Sequence, residues 1–569
     1  MGFTRWYGPM MWVFMLFSKP KADGGGVSDR TDFSRLQEFA KFSSCEFLPT
    51  LSKMNTMKYK LLQALCMVVI LFCSCGKGLI TQTNPYTVTP AQLYTSEGDV
   101  LLALNGAYNL MRNNNAMGEE SDLYTDQRSD DTGTNDNQSN GGQPFQFGNY
   151  SIDPTNVYLE NHWSAMYQVV AQCNSILAGI TKVTFTDSLK PQYTAEAEFL
   201  RAMVLFDLVR EWGDIPMSTV PLTSKAQITD STYRVPQKLV YQQIIADLVN
   251  ASTSGLPVIQ PSANRGHASQ QAVNFLLGQV YLTRFATIDG GNSGAASNSD
   301  LDSANYYLTN CYNERTFTTL STIPYTDVFN VTKKTSCPEN ILQIVFIQGD
   351  PTYHSSIAAD AQALNFLTNS KKPNSGVGYN VTHDLVNEYE VTDPRAAFNM
   401  TYDTSSSIKD WFISKFRDTS AAASNLGYGG NDWILMRYAD VILMLAEVNM
   451  YQGNSAQAIA YIDMVRTRAG LPTYETSSSS DPTYMANFPT LKLALLHERR
   501  SELAFEHHRL FDLLRFFNIN DLVTYMHSKS QANFGLAQVA NFSTKDEYYP
   551  IPYSEYILNP TKMYQNPGY

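Results

Sequence analysis

Cysteine is scarce in this chain of 569 residues: seven in all, with no CxxC and no zinc-ligand spacing. That excludes a disulfide-stapled fold and a zinc module. Positive charge is also in deficit. Acids outnumber bases 53 to 41, for a net charge of −12, so a broadly basic, nucleic-acid-binding surface is excluded. HExxH, phosphate-loop, nucleophile-elbow and EF-hand patterns are all missing. The stretch DDTGTNDN (130–137) has the oxygens calcium favours but not the loop spacing. No metal and no cofactor is expected. No apolar run reaches the ~20 residues that cross a bilayer.

The longest apolar run instead belongs to an export signal that begins at Met57. Lys58 and Lys60 precede an apolar stretch from Leu61 to Phe72, and Ser74 then precedes Cys75. This is the layout of a bacterial lipoprotein signal, with Cys75 the acylated residue and Cys73 a rival register. The expected division is an upstream extension over 1–56, a signal over 57–74, a lipidated tether over 75–90 and a folded part over 91–569. Cys173, Cys311 and Cys337 then remain as buried free thiols.

Aromatic residues make up 12% of the chain, with 34 Tyr against 6 Trp. Tyrosine offers a flat apolar face and a polar tip, which suits surfaces that meet sugars or peptides. Helical periodicity dominates the folded part. It marks helices after Ala91, over Asn156–Ile180, over 195–212, and near 236–254, 268–286 and 300–312. A short strand is expected at Ile341–Ile347. DWILMRYADVILMLAEVNMYQGNSAQAIAYIDMVRTRAGLP reads as two antiparallel helices, with Gly453-Asn454 as hinge and Gly470-Leu471-Pro472 as stop. Small residues along both, such as Ala446 and Ala460, allow the close approach seen in tetratricopeptide-type pairs. The closing YYPIPYSEYILNPTKMYQNPGY is too rich in Pro, Asn and Tyr for a helix and reads as an ordered extended wrap.

ERRSELAFEHHRLFDLLRF (498–516) places Glu498, Glu502, Glu506, Arg509 and Asp512 on one helical stripe. A largely buried helix follows, its ions paired at i, i+3 (Glu506 with Arg509, Arg499 with Glu502) and with neighbouring helices. The rival reading is acid–base catalysis by Glu502, Glu506 and His507-His508. Adjacent histidines point ~100° apart on a helix and cannot share a metal unaided.

ALNGAYNLMR (103–112), AEAEFLRAMVLFDLVREWGDIP (195–216), the helix pair at 437–471, the charged helix and YPIPYSEYILNP…QNPGY (549–569) occur in an order that resembles the SusD/RagB family of Bacteroidota surface lipoproteins. The resemblance runs from Met57 to the last residue. Two departures stand out: His507-His508 replaces a usual Gly-His, and the segment after Cys75 lacks the common Asp-Phe-Leu pattern. The resemblance implies a mostly α fold, with tetratricopeptide-like helix pairs forming a helical-repeat scaffold beside a loop-rich, partly irregular ligand-binding lobe. Its N-terminal helical part would cover about 91–255 and its C-terminal part about 268–569. It also implies lipid anchorage on the outer-membrane surface and capture of oligosaccharides, or in some members peptides, for a SusC-like TonB-dependent transporter.

Two segments combine aromatics with hydrogen-bonding groups in the way a glycan site needs. The polar stretch Tyr124–Tyr150 contributes Arg128, Asp131, Phe147 and Tyr150. Gln348–Tyr379 contributes Tyr353. Trp411 is a further aromatic, and Trp433 reads as the core-facing start of a helix. A glycoside hydrolase using Asp130/Asp131 or Glu119/Glu120 is the rival enzyme reading, although neighbouring acids give no fixed separation. A protein-only helical-repeat adaptor is the third.

Overall fold

The structure is a computed structural model; it describes residues 93–569 except 120, 134–136, 186–188, 295–298, 361–379 and 405–408. The anchor Cys75, the signal and the extension therefore lie outside the described residues.

Helices of eight residues or more run in the order α1 (Glu97–Met111), α2 (Val157–Ile180), α3 (Leu189–Trp212), α4 (Gln237–Ser252), α5 (Gln270–Thr283), α6 (Ser299–Asn313), α7 (Tyr438–Tyr451), α8 (Ser455–Ala469), α9 (Leu491–Leu503), α10 (Arg509–Phe516) and α11 (Ile519–His527). Their starts are written locally. Ser96 and Asp99 form a capping box at α1, and Asn156, Ser269 and Thr490 accept backbone N–H groups at the starts of α2, α5 and α9. Gly453 and Gly470 take the left-handed backbone, at φ 81° and 74°, that the expected hinge and stop require.

Consecutive helices pack on one another: α2 on α3, α3 on α4, α5 on α6 and α7 on α8. This is the expected mostly α, tetratricopeptide-like scaffold. One large core joins α1–α6 with part of α7, and a second gathers α7–α11. In α7 every side chain from Tyr438 to Asn449 is buried, so the helix is enclosed on all sides. Cys173 and Cys311 are buried free thiols, while Cys337 is only partly covered.

A smaller lobe holds the strands β1 (Thr132–Gly133), β2 (Asn340–Ile344), β3 (Asn380–Val381), β4 (Met400–Tyr402), β5 (Trp411–Ile413) and β6 (Trp433–Arg437). They form an antiparallel sheet of order β1-β3-β5-β4 and a separate β2–β6 pair. Trp433 therefore opens a strand rather than a helix: β6 pairs with β2, with Trp433 opposite Ile344. It is core all the same, at 2% exposure.

The expected single helix over 498–516 is two. The chain leaves α9 at Leu503 and re-enters helix at Arg509, with Phe505 and His507 at φ 65° and 63°. Left-handed backbone is unusual for such bulky residues, and tertiary contacts impose it here. Asp126 accepts the His507 N–H at 3.1 Å, and Lys415 Nζ donates to the Ala504 carbonyl at 2.8 Å.

Candidate functional site

The charged stripe is buried, and its partners come from distant segments. Glu502 meets Arg395 at 3.0 Å, Arg437 at 2.6 Å and also Arg468. Glu506 meets Arg437 at 2.6 Å and Lys415 at 2.5 Å. Glu498 lies 2.7 Å from Arg395, and Arg499 bridges Asp440 and Asp512 at 2.8 Å each. The expected Glu506–Arg509 and Arg499–Glu502 pairs do not form. Arg509 turns instead to Asp130 at 2.6 Å. The break after Leu503 separates Glu506 from Arg509 of α10, while inside α9 Arg499 and Glu502 are each taken by partners from other segments.

Burial opposes ionisation of Glu506, yet Arg437 and then Lys415 hold its carboxyl down at about 2. Burial pushes the His507 imidazolium down to about 3, which leaves it neutral, with its ring 4.5 Å from that of Trp433. His508 is lowered as well, chiefly by burial. Glu506 is locked by its cations, and together with His507 and His508 it lines a small cavity of about 80 Å³ shared with Ser121, Tyr124 and Phe511.

Four of the five residues expected to meet a ligand lie inside the protein. Arg128 sits 3.8 Å from the Tyr549 ring centroid and donates to the Asp546 carbonyl at 2.8 Å. Asp131 accepts from Arg500 Nε at 2.7 Å. Phe147 is fully buried against Tyr124 and Tyr549. Tyr150 is buried and donates to the Ser129 carbonyl at 3.0 Å. As placed here they hold the loop to the scaffold, with α9 and α10 supplying the arginines that neutralise it. Asp130 and Asp131 are thereby bound to cations, which removes them both as a calcium cradle and as a hydrolytic pair. Glu119 is buried, and Glu120 lies outside the described residues.

Tyr353 is the exception. It is 42% exposed, and its ring stacks over the Arg112 guanidinium at 4.3 Å. Arg112 caps the C-terminus of α1 and donates to Asn109 Oδ1 at 2.7 Å. Tyr353 is held by a tight turn in which Asp350 Oδ1 accepts the N–H groups of Thr352 and Tyr353 at 2.7 and 2.8 Å. His354 and Tyr428 lie alongside, ring centroids 4.3 Å apart.

Glu119 ties this face to the start of the loop. It accepts the Ser356 N–H at 2.6 Å and a hydrogen bond from the Ser355 hydroxyl. Burial outweighs those bonds and pushes its carboxyl up to about 7. On the other side of Arg112 opens a pocket of about 250 Å³, lined by Tyr108, Asn109, His267, Gln343 and Val345 among others. A second aromatic pair, exposed Tyr402 and half-buried Trp411 at 5.6 Å, stands beside the His383–Asp410 contact of 2.8 Å.

The Arg112–Tyr353–Tyr428 face combines flat apolar rings, a cation and amide groups within reach of solvent. Such a face can stack on a ring and hydrogen-bond its substituents. Sequence reading missed Arg112, Asp350 and Tyr428. The Asn113-Asn114-Asn115 run directly after α1 and the Tyr428-Gly429-Gly430 turn were the available signals.

A family model described as "SusD family" matches residues 259–569, and one described as "Starch-binding associating with outer membrane" matches 95–282. SusD-like protein P2 of Formosa agariphila is 25% identical over 548 residues, covering 90% of this chain and 100% of the relative. A SusD-like protein of Bacteroides ovatus is 23% identical over 559 residues, covering 90% of this chain and 92% of its own. A solved laminarin-binding SusD-like protein has a TM-score of 0.65 at 25% identity, with 84% of this chain and 100% of the other covered. Surface glycan-binding protein A from Bacteroides thetaiotaomicron, in complex with laminarihexaose, gives 0.66 at 18% identity, with 83% and 100% covered. With a family model spanning more than half its length, relatives aligned nearly end to end and a shared helical fold, the chain belongs to the SusD family.

Proposed function

We propose that this protein is a cell-surface lipoprotein of the outer membrane that binds oligosaccharides and hands them to a SusC-like TonB-dependent transporter. Signal residues 57–74 precede the acylated Cys75, 75–90 form the tether, and 1–56 are an upstream extension. The observation that carries the binding role is the exposed Tyr353 ring over Arg112, with His354 and Tyr428 beside it. The relatives' names support a glycan as ligand, since one is laminarin-binding and another was solved with laminarihexaose. Among the described residues no helix is long and apolar enough to cross a membrane, which is compatible with a lipid anchor. The buried carboxylates of α9 are held by arginines, a condition that suits a scaffold and not general acid catalysis.

Titration calorimetry of the purified protein against laminari-oligosaccharides, malto-oligosaccharides and a peptide panel tests the proposal. Binding of a glycan without turnover is expected. Tyr353→Ala and Arg112→Ala should each weaken it about tenfold, or ~1.4 kcal/mol. Binding of peptides alone redirects the reading to a RagB-like peptide carrier, and release of reducing ends overturns it in favour of a hydrolase.

A further inference from the structure

Helix α5 does not end at Thr283 in an ordinary cap. It runs on into a π turn over Arg284–Ile288, where the Asp289 N–H donates to the Arg284 carbonyl, five residues back, at 3.0 Å. Turns of this kind are rare and frequently sit at functional sites. Here Thr283, Thr287 and Gly290 line one side of a pocket of about 190 Å³ that shares no residue with the Arg112–Tyr353 face.

The rest of the wall comes from distant parts of the chain. Val209 of α3, Tyr241 of α4, and Phe511 and Leu514 of α10 make it apolar, while Gln237, Glu547 and Tyr548 give it a polar end. The wall is braced. Asn292 donates to the Leu514 and Phe517 carbonyls at 3.2 and 3.0 Å, which ties the C-terminus of α10 to the segment after the π turn. Gly213, at φ 76°, has Gln237 Nε2 3.1 Å from where a Cβ would stand. The missing side chain lets Gln237 reach the Tyr548 hydroxyl at 3.2 Å.

The lining selects a neutral guest. Arg210 already pairs with Asp207 and lies between the Phe206 and Phe511 rings, 4.0 and 3.7 Å from their centroids. Glu547 has no ion-pair partner among the described residues. Burial raises its carboxyl above the ordinary value, and a hydrogen bond with Tyr548 offsets this only in part. An anion would meet Glu547, and a cation would meet Arg210. A carboxylic acid, a phenol and an amide each donate as well as accept, which matches the hydroxyls of a polyol. Thr283, 3% exposed, adds a buried hydroxyl oxygen with no hydrogen-bond partner among the described residues. Buried polar groups left so are few in folded proteins and call for a partner from outside the chain. At ~30 Å³ per water the space is worth about six waters, which is room for one six-membered ring with its hydroxyls and not for a second.

We propose that this pocket binds a single neutral polyhydroxylated ring, a monosaccharide or a cyclic polyol, with its hydroxyls on Gln237, Glu547 and Tyr548 and an apolar face towards Tyr241 and Phe511. The inference is independent of oligosaccharide capture at the Arg112–Tyr353 face, and either can fail without the other.

Saturation-transfer NMR of the purified protein with glucose, galactose, mannose and myo-inositol tests it, at ~10 mM each so that a millimolar Kd is detected. Propylamine and propionate serve as charged controls. At least one ring should show transfer, and in the wild type its titration should shift the methyl resonances of Leu514 and Ile519, which line the pocket. Glu547→Leu removes the hydrogen-bonding acid, and Ile519→Phe fills the space while leaving the polar groups in place. Each should weaken binding at least tenfold, whereas Tyr353→Ala should leave it unchanged. If either variant fails to fold by circular dichroism, the other variant and the wild-type methyl shifts decide. No transfer to any ring overturns the proposal, as does binding that leaves the Leu514 and Ile519 methyls unmoved. Binding abolished by Tyr353→Ala belongs to the exposed face and overturns it too. Binding of propylamine or propionate without the rings overturns the neutral ligand class.

Discussion

Arg437 is the strongest test of the buried array. Its guanidinium meets Glu339 at 2.8 Å, Glu502 at 2.6 Å and Glu506 at 2.6 Å, and donates to the Glu502 carbonyl at 2.8 Å. Arg437→Met fills much of the same volume but leaves three buried carboxylates short of one cation. Removing one member of a buried pair costs about 3–5 kcal/mol, because the remaining charge stays desolvated. Unfolding entropy near 2.1 cal/mol/K per residue gives about 1 kcal/mol/K for a domain of this size, so the melting temperature should fall by ~3–5 °C. Arg437→Lys keeps the charge but cannot reach all three acids, and should fall between wild type and the Met variant. Lys333→Ala, which removes a half-exposed partner of Asp327, should cost less than ~1 kcal/mol. Calorimetry at one fixed scan rate reads all three. An Arg437→Met protein that melts within 1 °C of wild type would refute the claim that these ions hold the scaffold.

Glu119 sets a pH dependence of opposite sign to that of the array. Its folded value of about 7 lies above the ordinary 4.5, so ionisation costs stability as pH rises between those values, on the order of 3 kcal/mol in all. Glu119→Gln does not titrate, so wild type should lose ~3 °C relative to the variant between pH 4.5 and pH 7.5; a constant difference would contradict the raised value. Glu506, held down at about 2, contributes stability that is complete above about 4.5 and lost as pH falls towards 2. Gly179→Ala forces a methyl into the Tyr94 ring and should cost about 1–3 kcal/mol, with faster proteolysis near residue 94. Phe147→Ala should cost about 3–5 kcal/mol in a denaturant melt yet leave glycan affinity unchanged, while Tyr353→Ala should do the reverse.

What the sequence made legible was whatever is written within one or two helical turns. Caps, stops and apolar periodicity located α2 and α8, and the C-terminal ends of α3 and α7, to within a few residues. Excess charge on an apolar helix pointed to burial with partners. The failures share one cause, which is that the deciding group lies far along the chain. The Tyr124–Tyr150 stretch has the composition of an exposed loop, but Arg500 and Arg509, some 370 residues later, pull Asp130 and Asp131 inside. The break at Phe505 and His507 depends on Asp126 and Lys415. Trp433 follows β2 into a strand because its pairing partner lies about 90 residues earlier. The Arg112–Tyr353–Tyr428 face proposed to bind ligand is assembled from the end of α1 and two turns near residues 350 and 428, so no window of sequence contains it.

Charges sealed in the core also set the time scale on which the molecule comes apart. Pulling Arg437 from its carboxylates separates ions in a dry interior before water can solvate either side, so opening crosses a high barrier even where the net stability is modest. Its working life then follows the rate of opening rather than the depth of the folded minimum.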